Sequence, residues 1–168
     1  EYVEGTSNNK AIEIFNGTSS DIDLTVNGYK LEFYFNGANT ASTTINLIGT
    51  VGAGNVFVIA SSSANSTILN AANQTSPAAF FNGNDAIILK KSSDIIDVIG
   101  QVGFNPGTEW GSGQISTADN TIRRVESTNQ GDTNPNDVFD PSLEWTGYPT
   151  DTFDGLGIFN GTTIQTFA

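Results

Sequence analysis

Apolar and polar residues alternate with a period of two through much of this chain, and short turn signals interrupt the alternation. Residues 11–15 (Ala-Ile-Glu-Ile-Phe) show the pattern of a half-buried strand. The fullest run covers residues 21–35. A two-residue turn at Asn27-Gly28 sets Val26 against Tyr29, Leu24 against Leu31 and Ile22 against Phe33. Asn-Gly suits such a turn because both central residues of a type I′ turn need φ > 0. Every apolar side chain then falls on one face, and Asp23, Thr25, Lys30 and Glu32 fall on the other; a one-residue slip destroys the match. The pattern predicts a β-hairpin here.

Further strands are predicted at 43–48, 56–60, 86–90, 95–99, 121–126 and 163–167. Residues 90–94 (Lys-Lys-Ser-Ser-Asp) read as the turn of a second hairpin. Its arms are continuously apolar, which predicts strands covered on both faces. A helical turn is allowed only around 69–73. Segments 100–120 and 127–157, rich in Gly, Pro and Asp, read as long loops. Short strands separated by turn signals, with no internal repeat, define an all-β fold of the sandwich or barrel type.

Composition narrows the chemistry. The 168 residues suffice for one domain with one core. They include no histidine, no cysteine and no methionine. Without His or Cys there is no Ser-His-Asp or Cys-His machinery and no usual zinc ligand set. A pair of carboxylates for glycoside hydrolysis is available by residue type, but no spacing marks one. The chain is read as not an enzyme. Acidic residues number 18 against 6 basic ones, a net charge of −12. The bases are too few and scattered to neutralise phosphates, which excludes nucleic acid as a partner. No run resembles a transmembrane span. The polar surface therefore rests on Asn, Ser, Thr and Gly, a composition that recurs in secreted and cell-surface β-proteins. Because the chain does not start with Met, it is read as a processed product or an excised segment, acting outside the cell.

Calcium is the cofactor this sequence raises. Asp132, Asn134 and Asn136 stand at the 1, 3, 5 spacing of a calcium loop, and Asp137 and Asp140 follow. The loop departs from an EF-hand: Asp137 stands where a glycine is needed, and Leu143 occupies the position of the bidentate Glu. An irregular site built from Asp132, Asn134, Asp137 and Asp140 remains open, and so does the alternative that these residues make local Asx-turns. Trp110, Trp145 and Tyr148 lie in or beside the long loops, where they either stack on sugar rings or plug one end of the core. Arg123 and Arg124 sit on a predicted strand and point to opposite faces; one of them is expected to pair with a carboxylate of 127–157. Four glycosylation sequons begin at Asn16, Asn65, Asn73 and Asn160.

The opening block Glu1-Tyr-Val-Glu-Gly-Thr-Ser-Asn-Asn-Lys-Ala-Ile-Glu-Ile-Phe-Asn16 resembles lamin-tail-type domains of secreted bacterial proteins. So do Ala118-Asp-Asn-Thr-Ile-Arg-Arg, Phe139-Asp-Pro-Ser-Leu-Glu-Trp and Asp151-Thr-Phe-Asp-Gly-Leu-Gly157. The resemblance implies an immunoglobulin-like β-sandwich over 1–157 and a non-catalytic accessory or interaction role, often beside an extracellular nuclease or phosphatase domain. Residues 158–168 depart from it as a β-prone tail. The chain also begins inside the first block, which predicts a clipped first strand with unpaired backbone. These departures suggest subunits that link into a filament by strand exchange, with Val3, Ile158, Phe159, Ile164 and Phe167 at the junction. The expected partner is a further copy of the chain or another surface protein, with carbohydrate as a third possibility through Trp110, Trp145 and Tyr148.

Overall fold

The computed structural model describes residues 1–159. In chain order the strands are β1 (Tyr2–Glu4), β2 (Lys10–Phe15), β3 (Ile22–Asp23), β4 (Tyr29–Tyr34), β5 (Thr43–Asn46), β6 (Thr50–Val51) and β7 (Val56–Ser61). One helix, α1 (Ser66–Ala71), precedes β8 (Gln74–Ser76), β9 (Ala86–Lys91), β10 (Asp94–Ile99), β11 (Gly111–Ser112), β12 (Ile115–Ser116), β13 (Thr121–Arg124) and β14 (Trp145–Tyr148). A six-stranded sheet in the order β14-β13-β1-β2-β7-β8 packs on a four-stranded sheet ordered β10-β9-β4-β5. Two small ribbons, β3-β6 and β11-β12, flank them. The fold is all-β, as the alternation predicts, and is the immunoglobulin-like sandwich that the family resemblance implies.

Period-two patterning decides which side each residue serves. On β2 and β7, Ile12, Phe57 and Ile59 face the sheet-on-sheet core with Tyr2, Leu31, Phe33, Phe81, Ile87, Leu89, Ile122 and Trp145. Their neighbours Ala11, Val58 and Ala60 join Val3, Ile68 and Leu156 in a second cluster on the sheet's outer face. That outer face is closed by α1 and by the segment around Leu156. The helix begins at Ser66 because the Asn65 side chain caps the Ile68 amide, so it starts slightly before the expected turn.

The second predicted hairpin forms as expected: β9 and β10 pair antiparallel with Asp94 opposite Lys91, and Ser92 turns at φ 54°. Ala86, Ile87, Ile88 and Leu89 are all buried, as the unbroken apolar arm requires. The first predicted hairpin does not form. Ile22 instead pairs with Val51 in the β3-β6 ribbon, and β4 takes β5 and β9 as its neighbours. Asp23 explains the difference: its carboxylate accepts the Val26 amide and its carbonyl accepts the Asn27 amide, closing a wide turn. Val26 is left 82% exposed, while Leu24, Leu31 and Phe33 keep their places in the core. The facing was right for Leu24, Leu31 and Phe33 but not for Val26, and the pairing differs because flanking β4 on both sides buries more surface than a lone ribbon.

The expectation of an unpaired first strand is overturned. β1 lies inside the six-stranded sheet, with Val3 opposite Ala11 on one side and Thr121 on the other. Val3 is fully buried. No free edge exists there for a second chain to join. The stretch 127–157, expected to be loop throughout, contributes β14, and 100–120 holds the β11-β12 ribbon.

Candidate functional site

β13 carries Ile122 into the core and leaves Arg123 and Arg124 to opposite sides. Arg124 crosses to the other sheet and forks onto Asp97 of β10, with Nη2 to Oδ1 at 3.0 Å. Its guanidinium lies 4.7 Å over the Trp145 ring. The same Asp97 Oδ1 accepts the Asp132 amide at 2.9 Å, which ties the start of the acidic loop to this pair. Beyond it, Val102 N–H donates to the Pro135 carbonyl and the Gln101 amide donates to the Asn136 carbonyl. Gly131 completes the seam: a Cβ there would lie 2.2 Å from the Ile96 carbonyl oxygen, so only glycine lets the loop lie against β10. Loop 130–136 thus covers an edge strand that would otherwise offer free backbone groups.

Between this loop and β13 opens a cleft of about 360 Å³, lined by Arg124, Asp132, Asp137, Phe139, Asp140, Glu144 and Trp145. On its rim Val138 is 81% and Leu143 77% exposed. Its lining is acidic, and Arg124, its one base, is already held by Asp97. Two of the acidic side chains, Asp132 and Asp140, are occupied locally. Asp132 Oδ1 accepts the Asn134 amide, Asn134 Oδ1 accepts the Asn136 amide, and Asp140 accepts both the amide and the hydroxyl of Ser142. The Ser142 hydrogen bonds hold the Asp140 carboxyl below its ordinary pKa. These are Asx-turns, the alternative left open by the spacing. Among the described residues no group of three or more Asp or Glu side chains converges to hold a metal ion. Asp132, Asp137 and Asp140 line the one cleft, and Asn134 sits in the turn that Asp132 caps.

The aromatic residues plug the core rather than line a sugar platform. Trp110 and Trp145 are buried, and Trp110 packs against Phe104 and edge-on to Phe139. Tyr148 is half-buried beneath Arg123, whose guanidinium lies 4.2 Å from the ring centroid. Arg123 also bonds Glu1 at 2.8 Å and Asp154, and Arg124 approaches Glu144, so both arginines reach carboxylates of 127–157, where the sequence predicted one.

Two polar networks escaped the sequence reading. On the outer face of the four-stranded sheet, Glu32 accepts from Lys30 at 2.9 Å, Lys90 at 2.8 Å and the Tyr34 hydroxyl at 2.7 Å. Burial pushes the Glu32 carboxyl up, but these three donors outweigh it and hold it at about 2. The register Lys30 opposite Lys90, with Glu32 two residues on, becomes visible only once β4 and β9 are paired. The second network centres on Asn16, which is buried. Its amide donates to the Ser20, Val51 and Gly52 carbonyls, and its oxygen accepts from the Thr18 amide and hydroxyl.

Of the residues expected at a junction, Val3 is buried, Ile158 is exposed and Phe159 stacks on Phe15 with ring centroids 3.6 Å apart. Ile164 and Phe167 lie outside the described residues. No helix among the described residues is long and apolar enough to cross a membrane.

Comparison with known proteins supports the same frame. The family model described as Lamin Tail Domain matches residues 1–103. No curated protein and no solved structure matches the chain.

Proposed function

The chain belongs to the lamin tail domain family, whose members are non-enzymatic immunoglobulin-like domains that mediate protein interactions, and from that premise we propose that it acts outside the cell as a non-catalytic docking module. The observation that carries this reading is the 360 Å³ cleft with Val138 and Leu143 exposed on its rim. Large apolar side chains held open to solvent beside an acidic cleft suit a protein partner with a basic, partly apolar surface. The remaining polar constellations are spent within the fold. Such a module would serve as the targeting element of a secreted hydrolase, a nuclease or phosphatase for example. Filament growth by strand exchange at β1 is disfavoured, because both edges of that strand are already paired. Sugar binding is disfavoured by the burial of Trp110 and Trp145.

The test follows the exported chain and its Val138→Asp/Leu143→Asp variant, scoring the share retained on the producing cells against the share shed into the medium. Retention of the parent and shedding of an equally stable variant supports the docking surface. Equal partition of the two, regular filaments by electron microscopy, or turnover of DNA or a phosphomonoester would each overturn the proposal.

A further inference from the structure

Charge is distributed unevenly along this chain. Residues 33–84 include no Asp, Glu, Lys or Arg, so all 18 acids and 6 bases lie in the rest of the sequence. That uncharged run supplies β5, β6, β7, α1 and β8. β5 ends one sheet and β8 ends the other. The Gln74 side chain of β8 bridges them, donating to the Asn46 carbonyl and accepting the Ile48 amide, both at 2.9 Å. The two edges therefore share one side of the sandwich, opposite the side where Arg124 meets Asp97 and the cleft opens.

On that opposite side both sheet edges are covered. Loop 130–136 lies along β10, and a Cβ at Gly147 of β14 would collide with the Gln114 carbonyl, so the turn between β11 and β12 packs against β14. β5 has neither cover nor guard. Thr43-Thr44-Ile45-Asn46 contains no Lys, no Pro and no charge, the usual means of keeping an edge from pairing. The charges beside it on β4, Lys30 and Glu32, are paired with each other. Leu47 N–H turns inward to the Tyr29 carbonyl, so strand alternation turns the Ile45 backbone inward and the Thr44 and Asn46 backbone outward. Gln74 occupies the Asn46 carbonyl. Among the described residues, no donor or acceptor meets the outward amide and carbonyl of Thr44.

We propose that this uncharged side is the contact between two copies of the chain, joined about a two-fold axis with β5 antiparallel to β5 and Thr44 opposite Thr44. Each Thr44 amide donates to the other copy's Thr44 carbonyl, a self-complementary pairing that closes at two subunits. The charge distribution selects a second copy as the occupant. Chains of net charge −12 repel wherever acidic surfaces meet, and the longest stretch without charge is also the stretch that presents the open edge. The exposed side chains around it, Thr44, Asn46, Ile48 and Thr75, pack against a partner without desolvating an ion. This contact is separate from the Val138 and Leu143 surface, so it does not compete with a partner bound there.

The test is the solution mass of the full chain, followed by sedimentation velocity from low to high micromolar concentration. The parent is expected to move from 17.7 kDa toward twice that mass. Thr44→Val keeps the amide and is expected to do the same. Thr44→Pro removes the outward amide, which the fold itself does not use, and proline is tolerated on an edge strand with its nitrogen facing out. It is expected to stay at the mass of one chain, with circular dichroism unchanged. A second variant serves if Thr44→Pro does not fold. The chain has no native cysteine, so Thr44→Cys places the only thiol at the two-fold axis, where opposed residues lie within bridging range. Under mild oxidation it is expected to form a disulfide between chains about 10-fold faster than Ser93→Cys, an exposed position on the β9-β10 turn. A parent of one-chain mass at every concentration overturns the proposal. So does a folded Thr44→Pro that dimerises like the parent, or a Thr44→Cys that crosslinks no faster than Ser93→Cys.

Discussion

Arg124 on β13 and Asp97 on β10 form a two-pronged ion pair that joins the two sheets of the sandwich at the end where the long loops gather. Neither partner is freely solvated, their side chains being 19% and 28% exposed. Bidentate geometry and partial burial raise such a pair above the usual surface salt bridge. Asp97 also receives the Asp132 amide, so the pair positions the acidic loop as well as the sheets.

Removing one partner strands the other. Asp97→Ala is expected to cost about 2–4 kcal/mol, because it leaves the Arg124 charge half-buried and frees the Asp132 amide. Arg124→Ala is expected to cost somewhat less. The double variant should lose less than the sum of the two, and the difference, read from urea unfolding in a double-mutant cycle, measures the coupling. Strict additivity would show that the pair contributes nothing.

Glu32 makes stability depend on pH. Its carboxyl is lowered in the folded state to about 2 from an ordinary 4.5. A depressed carboxyl stabilises the fold fully above its unfolded value, and that stabilisation is lost as pH falls through the interval down to about 2. After allowance for solvent screening the effect is expected to be about 2 kcal/mol between pH 6 and pH 2. Other carboxylates titrate in the same interval, so the informative quantity is the difference between the parent and Glu32→Gln. Their urea midpoints should lie farthest apart at pH 6 and converge toward pH 2; a constant separation would remove Glu32 from the acid response.

The loop around Asp132 is expected to hold itself without metal. Its side chains already bond backbone amides two residues ahead, which is the work a calcium ion would otherwise do. The melting midpoint should be the same in excess chelator and in millimolar calcium. A specific ion would stabilise the fold by mass action, by about 2.7 kcal/mol at a hundredfold excess over its dissociation constant, and any resulting rise in the midpoint would restore the site. Asp140→Ala, by contrast, is expected to lower the midpoint through the lost cap on Ser142.

What was legible in the sequence was facing, and what was hidden was partnership. The alternation through 11–15 and the continuous apolar arm of 86–89 placed those residues correctly, because period-two geometry is local. Asn27-Gly28 misled because Asp23 closes a wider turn and β4 finds both neighbours far along the chain. β14 was invisible: Trp-Thr-Gly-Tyr is short and stands among loop residues, and it becomes a strand only by pairing with β13. Asp97 was hidden by a bulge between Ile95 and Asp97 that breaks the alternation. After it, Ile96 and Ile99 both pack on the inner core while Ile95 and Val98 pack outside.

The sequon at Asn16 separates chemistry legible in a motif from chemistry permitted by a fold. Asn16 is 3% exposed, and its amide nitrogen donates to three carbonyls, those of Ser20, Val51 and Gly52. A glycan on that nitrogen would remove donors that tie the end of β2 to β6 and would force a bulky polar group into the core edge. Asn65 and Asn73, at the other described sequons, are exposed and use their side-chain oxygens, not their nitrogens, to accept the Ile68 and Val58 amides. Folded chain treated with a glycosylating enzyme should therefore stay unmodified at Asn16, as read by peptide mass mapping, even where Asn65 or Asn73 reacts. Asn16→Ala should cost about 2–4 kcal/mol, since it leaves three carbonyls and two donors of Thr18 without their partner. Thr18→Val removes the sequon and only one of those hydrogen bonds, so it should cost no more than about 1.5 kcal/mol. A Thr18→Val loss as large as that of Asn16→Ala would mean that the turn, and not the Asn16 network, holds β2 against β6.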